Sequence, residues 1–218
     1  MNQGLFITFE GTEASGKSTQ ISLLAGHLQS LGHQVKLLRE PGGTPIGEEL
    51  RRILKHGERN RPMTPEAELL LMSASRAQLV REVIQPGLKA GVTILCDRFF
   101  DSTTAYQGYG RGLDLNMIRQ ITQFAVGVTQ PDLTLLFVVP IAISEQRRQT
   151  RQTGLASECD RFEEAGREFF TKVERGYNAI AQQEPDRVKR VDATQTIEQV
   201  QTQAWAFVES FLQSRGVI

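Results

Sequence analysis

The sequence predicts an α/β fold in which a parallel sheet of five strands is covered by helices on both faces. Three observations predict it. Short apolar runs alternate with longer stretches of helical period along the chain. The candidate strands are continuously apolar rather than alternating, as strands buried on both faces are. The first such run passes directly into a glycine-rich turn, Gly11-Thr12-Glu13-Ala14-Ser15-Gly16-Lys17-Ser18, which fits G-x-x-x-x-G-K-[ST] at every fixed position.

The elements follow in order. Leu5–Glu10 reads as the first strand and Lys17–Leu31 as a helix with Ile21, Leu24, Ala25 and Leu28 on one face, closed by Gly32. Val35–Leu38 is the second strand. The turn-rich run Glu40-Pro41-Gly42-Gly43-Thr44-Pro45 separates it from a helix over Glu48–Lys55. Asn60–Thr64 is a loop. Thr64 is an N-cap, with Pro65 at the first helical position and Glu66 and Glu68 in the first turn. That helix runs to Ala90, and Pro86, which lacks an N–H, should kink it or split off its last turn. Val92–Asp97 is the third strand, Leu113–Val126 a helix, Leu133–Val139 the fourth strand and Ala142–Gln152 a helix. Glu163–Gln183 is a long helix, Val188–Val191 the fifth strand and Ile197–Ser214 the closing helix. The result is a doubly wound, P-loop NTPase-like sheet. Ligands of such sheets sit at the carboxyl ends of the strands, where the glycine-rich turn, Glu40, Asp97 and the turn after Val139 all fall.

The turn itself has a chemistry. Glycines at 11 and 16 let the backbone curl so that successive N–H groups face phosphate oxygens, and the helix N-terminus adds partial positive charge. Lys17 should reach the β- and γ-phosphates of a nucleoside triphosphate, and the Ser18 hydroxyl is placed to ligate Mg²⁺.

Composition narrows the class. The 218 residues are 39% hydrophobic and 23% charged with a formal net charge of zero, which suits one globular domain and argues against nucleic acid as the main partner. Two cysteines, Cys96 and Cys159, do not make a disulfide framework, and Cys96 lies in an apolar run where it reads as a buried small hydrophobe. The three histidines, His27, His33 and His56, read as surface residues with no metal-ligand spacing. No apolar run approaches the ~20 residues that cross a bilayer, and no charged segment precedes a long apolar one near Met1, so a cytoplasmic location with no membrane partner is expected.

The third strand ends in Asp97-Arg98. An acidic residue there suits Mg²⁺ or its water shell, although a structural ion pair would give the same dipeptide. The run continues as Asp97-Arg98-Phe99-Phe100-Asp101-Ser102-Thr103-Thr104-Ala105-Tyr106-Gln107-Gly108. Together with Arg39-Glu40-Pro41-Gly42-Gly43-Thr44, Arg76-Ala77-Gln78, Asp160-Arg161-Phe162-Glu163 and Val191-Asp192-Ala193-Thr194, it makes the chain resemble the bacterial thymidylate kinases from the first strand to the last helix.

The resemblance implies ATP-dependent, Mg²⁺-dependent phosphorylation of dTMP to dTDP by in-line transfer, in a single nucleoside monophosphate kinase domain over residues 1–218. It implies that Gly11, Thr12, Glu13, Ala14, Ser15, Gly16, Lys17, Ser18, Thr19 and Arg161 bind ATP, and that Ser18 and Asp97 hold the metal. Glu13 would accept a hydrogen bond from the acceptor's 3′-hydroxyl, and Arg98 would bridge the acceptor phosphate and the transferred group. Arg76 would hydrogen-bond the thymine, with Gln107 opposite. Tyr106 would lie against C2′ of the sugar and disfavour ribonucleotides, while Pro41 packs on the acceptor and Met72 and Ser102 complete its site. Arg51 reads equally as a ligand of the acceptor phosphate and as a surface arginine. The run Arg147-Arg148-Gln149-Thr150-Arg151 resembles the start of a lid, over residues 147–161, that closes on the donor. Because the turn carries Ala14 where some relatives have a basic residue, the resemblance implies a catalytic cation from the lid, with Arg147 and Arg151 as candidates beside Lys17, Arg98 and Asp97. A homodimer packed through helices such as Glu66–Ile84 is implied as well.

Three positions depart from the family. Met72 stands where a phenylalanine commonly stacks on thymine. Ser75 stands where an acidic residue usually precedes the helix arginine, which would leave Arg76 less firmly oriented. The fourth strand ends in Val138-Val139 without its usual aspartate, a change that would weaken metal placement. Met72 leaves open a broader nucleoside monophosphate kinase. A regulatory GTPase is a poorer reading, because neither N-K-x-D nor D-x-x-G occurs.

Overall fold

Five parallel strands, β1 (Phe6–Glu10), β2 (Val35–Arg39), β3 (Thr93–Asp97), β4 (Leu133–Val138) and β5 (Val188–Asp192), pair in the order β2-β3-β1-β4-β5. They form the centre of the chain in a computed structural model that describes residues 4–55, 63–154 and 166–216. Helices α1 (Lys17–Ser30), α2 (Pro45–Lys55), α3 (Pro65–Leu79) and α4 (Gln85–Lys89) come from the first half. The second half supplies α5 (Phe100–Thr103), α6 (Leu115–Val126), α7 (Ile141–Gly154), α8 (Arg167–Gln183) and α9 (Ile197–Ser214).

The alternation of side chains along a strand sends neighbours to opposite faces. In β1, Ile7 and Phe9 face α1 and α9, where Leu24, Leu28, Val208 and Leu212 close one core. Phe6 faces the other side, against Leu79, Val80, Ile84, Ile94 and Phe99. A third apolar cluster joins Ala105 and Tyr106 to Leu136, Val173, Tyr177 and Ile180, and so fixes α8 over the end of β4. Cys96 is fully buried in the cluster around Phe6. His27 and His33 are half-buried rather than fully at the surface, and His27 stacks on Trp205 with ring centroids 3.7 Å apart, tying α1 to α9.

Most expected elements are present, with informative shifts. α2 begins at Pro45, earlier than the expected Glu48, because proline suits the first helical turn and Glu48 N donates to Thr44 O. Thr64 caps α3 as expected, its side chain accepting from Ala67 N. Asp114 caps α6, so that helix starts at Leu115. Just before Pro86 the helix is interrupted, and its last turn, Gln85–Lys89, is set off as expected. The ladder widens there into a π-helical turn over Val80–Ile84, where Gln85 N donates to Val80 O, and the chain continues as α4. α8 starts at Arg167 after Gly166, while residues 163–165 of the expected helix lie outside the described residues.

The sequence predicts no regular element for the segment between β3 and Leu113. That segment is helical over Phe100–Gly110: α5 passes into a π-helical stretch over Thr104–Gly110. α8 packs on that stretch so closely that a Cβ on Gly176 would lie 2.9 Å from Ala105 Cα and 2.9 Å from the Tyr109 ring.

Candidate active site

The glycine-rich turn links β1 to α1. Gly11, Ala14 and Gly16 take φ of 136°, 56° and 89°. At Gly11 a side chain is excluded twice, since a Cβ would also stand 2.4 Å from Phe137 O. Lys17 is buried, and its ammonium donates to Thr12 O at 2.9 Å, Gly11 O at 3.2 Å and Ser15 Oγ at 3.3 Å. Burial and then the nearby Arg98 pull its pKa down to about 8. Ser15, Gly16, Lys17, Ser18 and Thr19 line an open cleft with Asp97. Ser18 Oγ lies 3.4 Å from Asp97 Oδ2, and Asp97 Oδ1 is buried with no hydrogen-bond partner among the described residues.

A second cavity adjoins the cleft. Pro41, Met72, Arg76, Phe99, Ser102, Thr103, Tyr106 and Gln107 line it. Glu13, Glu40, Lys55 and Arg98 line both spaces. The two cavities therefore meet at one acid–base cluster.

Arg98 is the hub of that cluster. It holds φ at 69°, a left-handed conformation costly for a residue with a side chain. Its Nη2 pairs with Glu13 Oε1 at 2.7 Å and donates to Tyr106 OH at 3.1 Å. Its Nη1 donates to Gly11 O, Ser102 Oγ and Tyr177 OH at 3.0, 3.1 and 3.1 Å. Burial alone would raise the Glu13 pKa, but Arg98, Lys17 and Lys55 outweigh it and hold the carboxyl down at about 2.

Beneath Arg98 lies Glu10, fully buried at the end of β1. Its Oε1 accepts from Phe99 N at 2.8 Å and Ser102 N at 3.2 Å; its Oε2 accepts from Ser102 Oγ at 2.6 Å and Tyr177 OH at 2.9 Å. Burial, and then the Asp101 charge, push its pKa up to about 7. Ser102 and Tyr177 thus touch both Glu10 and Arg98, which locks the guanidinium in place.

α3 presents Glu68, Met72 and Arg76 four residues apart, on one face. Arg76 is 2% exposed and paired with Glu40 through Nε at 2.8 Å and Nη2 at 2.7 Å. Nη2 also donates to Phe99 O and Nη1 to Thr103 Oγ1. Arg76 is therefore firmly oriented without an acid at position 75. Ser75 has a separate task, accepting from Gly42 N at 3.1 Å and so holding the loop that carries Glu40 and Pro41.

The structure thus brings Glu13, Pro41, Met72, Arg76, Arg98, Ser102, Tyr106 and Gln107 around one pocket. Gly11 and Thr12 lie on the opposite side of the turn, in a crevice with Phe137 and Val138. Arg51 lines the cleft with Lys55, and its Nη1 donates to Pro41 O at 2.8 Å, so it is not a detached surface residue. Arg147 is half-buried on α7 and belongs to the lining of neither cavity. Its neighbour Arg148 packs over the Phe170 ring at 4.7 Å. The Arg151 side chain and Arg161 lie outside the described residues. α7 still reaches the site, because Ser144 Oγ donates to Glu13 O at 2.7 Å.

Sequence reasoning missed Glu10, Glu40, Lys55, Glu68 and Tyr177 as site residues. Glu40 had a signal, being placed with the other strand-end residues. The others act through partners distant in sequence.

Comparison with known proteins decides the family. The thymidylate kinase profile matches residues 9–204. The chain belongs to the thymidylate kinase family. It is 47% identical to the thymidylate kinase of Syntrophotalea carbinolica over 97% of this chain and 98% of that one. It is 44% identical to the thymidylate kinase of Deinococcus radiodurans, over 95% and 98%. The crystal structure of thymidylate kinase from Ehrlichia chaffeensis superposes with a TM-score of 0.75 at 32% identity, covering 95% of this chain and 99% of that one. Among the described residues no helix is long and apolar enough to cross a membrane.

Proposed function

We propose that this chain transfers the γ-phosphoryl group of ATP to dTMP, giving dTDP and ADP. One observation carries the proposal: a phosphate-binding cleft and a pocket lined by buried side chains meet at Arg98 and Glu13, which line both. In-line transfer needs alignment and charge stabilisation more than covalent catalysis. Arg98 stands where the acceptor phosphate and the transferred group would meet, and its fixed hydrogen bonds hold it there without the ligand. Lys17 would exchange its bonds to Gly11 O, Thr12 O and Ser15 Oγ for phosphate oxygens. Glu13 would accept from the sugar 3′-hydroxyl, Tyr106 would crowd C2′, and Arg76 and Gln107 would read the base above Pro41 and Met72. Arg51 and Lys55 add positive charge on the acceptor-phosphate side of the cleft.

The residues present fit Mg²⁺ carried by the nucleotide. Mg²⁺ takes one or two protein groups besides phosphates and water, and Asp97, with its unpartnered buried Oδ1, and the Ser18 hydroxyl would hold it. When bound, it would neutralise charge on the β- and γ-phosphoryl oxygens. Donor-side closure by residues 147–161, with cations from Arg147, Arg151 and Arg161, belongs to the same reading, and Ser144 gives α7 a direct tie to the turn. A homodimer through α3 and α6 is supported by exposed Leu70, Met117 and Phe124 on those helices. A cytoplasmic location is part of the proposal.

The test is ADP formation with ATP and Mg²⁺ across dTMP, dUMP, UMP, CMP, AMP and GMP. Strong preference for dTMP is expected. Comparable rates with several acceptors would make this a broad monophosphate kinase instead, and no acceptor-dependent turnover would refute the kinase reading.

A further inference from the structure

Gln107 has a partner that decides which way its amide faces. Its Nε2 lies 2.6 Å from Oε1 of Glu68, a side chain with no exposure to solvent. A carboxylate only accepts, so the amide atom facing it is the nitrogen, whichever way an isolated amide would turn. The same carboxylate is clamped from its other side by Arg111, whose Nη2 lies 3.0 Å from Oε2 and whose Nε lies 3.3 Å from Oε1. Arg111 is in turn seated over the Phe169 ring at 4.6 Å. Glu68 does not line the pocket; Gln107 does. The carbonyl Oε1 of Gln107, which takes part in no hydrogen bond among the described residues, is therefore the end offered to the acceptor base.

Arg76 supplies the complementary group. Four of its five N–H donors are used on Glu40, Thr103 and Phe99, and the guanidinium lines the same pocket. A donor from Arg76 and an acceptor from Gln107 match a base edge that presents a carbonyl oxygen beside an N–H. Thymine and uracil have that edge. Cytosine presents an amino group beside an unprotonated ring nitrogen, which places donor against donor and acceptor against acceptor.

We propose that Glu68 sets acceptor specificity without touching the acceptor: by fixing the sense of the Gln107 amide, it makes the pocket accept a keto–imide pyrimidine edge and reject an amino–imine one. The inference rests on the dTMP kinase reading. Glu68 is a positioning residue, with Gln107 the group it positions. Because Glu68, Met72 and Arg76 share one face of α3, a single helix supplies the donor, the apolar contact and the orientation of the acceptor.

Glu68→Gln tests this, since an amide there accepts from or donates to Gln107 and so permits both senses. kcat/KM would be measured for dTMP, dUMP and 5-methyl-dCMP, which matches dTMP in shape and differs at that edge. In Glu68→Gln the preference for dTMP over 5-methyl-dCMP should fall roughly tenfold, the worth of about one hydrogen bond, mainly through a higher KM for dTMP. The ratio of dTMP to dUMP and the KM for ATP should not move. Gln107→Met should lose a similar factor, and the double variant should lose no more than either single one. Additive losses, or a folded Glu68→Gln with the wild-type ratio, would overturn the proposal. If Glu68→Gln does not fold, Glu68→Asp retains an acceptor-only group and should keep the wild-type preference; its loss in folded protein is likewise a refutation. A wild-type enzyme indifferent to the two nucleotides would sink this inference together with the function on which it rests, whereas unchanged variants of a selective enzyme would sink the inference alone.

Discussion

The acceptor pocket and the phosphate cleft are built in opposite ways. In the pocket, charged and polar groups are buried and braced by partners far away in sequence: Arg76 on Glu40, Gln107 on Glu68, Arg98 on Glu13 and Tyr177. In the cleft, Lys17 is held by carbonyls of its own turn, and Ser18 and Thr19 face solvent. The pocket is set before the acceptor arrives. The cleft has bonds that must be exchanged when phosphates arrive. Preorganisation of this kind suits the side where bases are told apart, because a fixed donor and acceptor discriminate better than mobile ones.

The sharpest way to break the contrast is at the boundary. Arg98→Ala should lower kcat by about 10³-fold or more, as loss of a transition-state arginine does, while ATP affinity stays near normal in equilibrium titration. On the cleft side, Arg147→Ala and Arg151→Ala should also reduce kcat; if both leave it intact, the donor-side cations lie elsewhere.

Next comes the pocket's internal bracing. Arg76→Met strands Glu40 as a buried unpaired carboxylate and should cost about 3–5 kcal/mol in denaturant unfolding. Loss of the half-exposed Arg39–Glu48 pair through Arg39→Ala should cost no more than about 1 kcal/mol. Similar losses from the two would show that the pocket is not specially braced.

A third prediction uses pH. Glu10 has its pKa raised from 4.5 to about 7, so the folded chain keeps a proton that the unfolded chain releases. Its contribution to stability is full below about pH 4.5 and is lost as pH rises through about 7. The stability difference between Glu10→Gln and the parent should therefore shift in favour of the variant across that window. A difference that does not vary with pH would remove Glu10 from the titration.

The smallest effect is expected at Met72→Phe. Trading a thioether contact for an aromatic one should tighten dTMP binding by a few-fold at most, since the two contacts are worth about 0.3–1.5 and 0.5–1.5 kcal/mol. An unchanged KM would place the base out of reach of position 72.

The same contrast explains what could be read from the sequence. The cleft is local: Gly11 to Ser18 are contiguous, and Asp97 is recognisable at a strand end. The helix Ile197–Ser214 is also legible to the residue. The pocket's bracing is non-local. Tyr177 meets Glu10 across 167 positions and Gln107 meets Glu68 across 39, and neither tyrosine nor glutamine carries a local signal of its partner. The helical form of Phe100–Gly110 was hidden too, since threonine, glycine and aromatic residues favour other conformations and tertiary packing overrides them.

That packing includes one position with no chemistry at all. Gly176 bears no functional group, yet α8 lies against Ala105, one residue from Tyr106, only because nothing projects there. Even one added methyl at Gly176 must displace the backbone of the segment on which both Tyr106 and Gln107 are mounted. The shape of the pocket rests in part on a missing side chain.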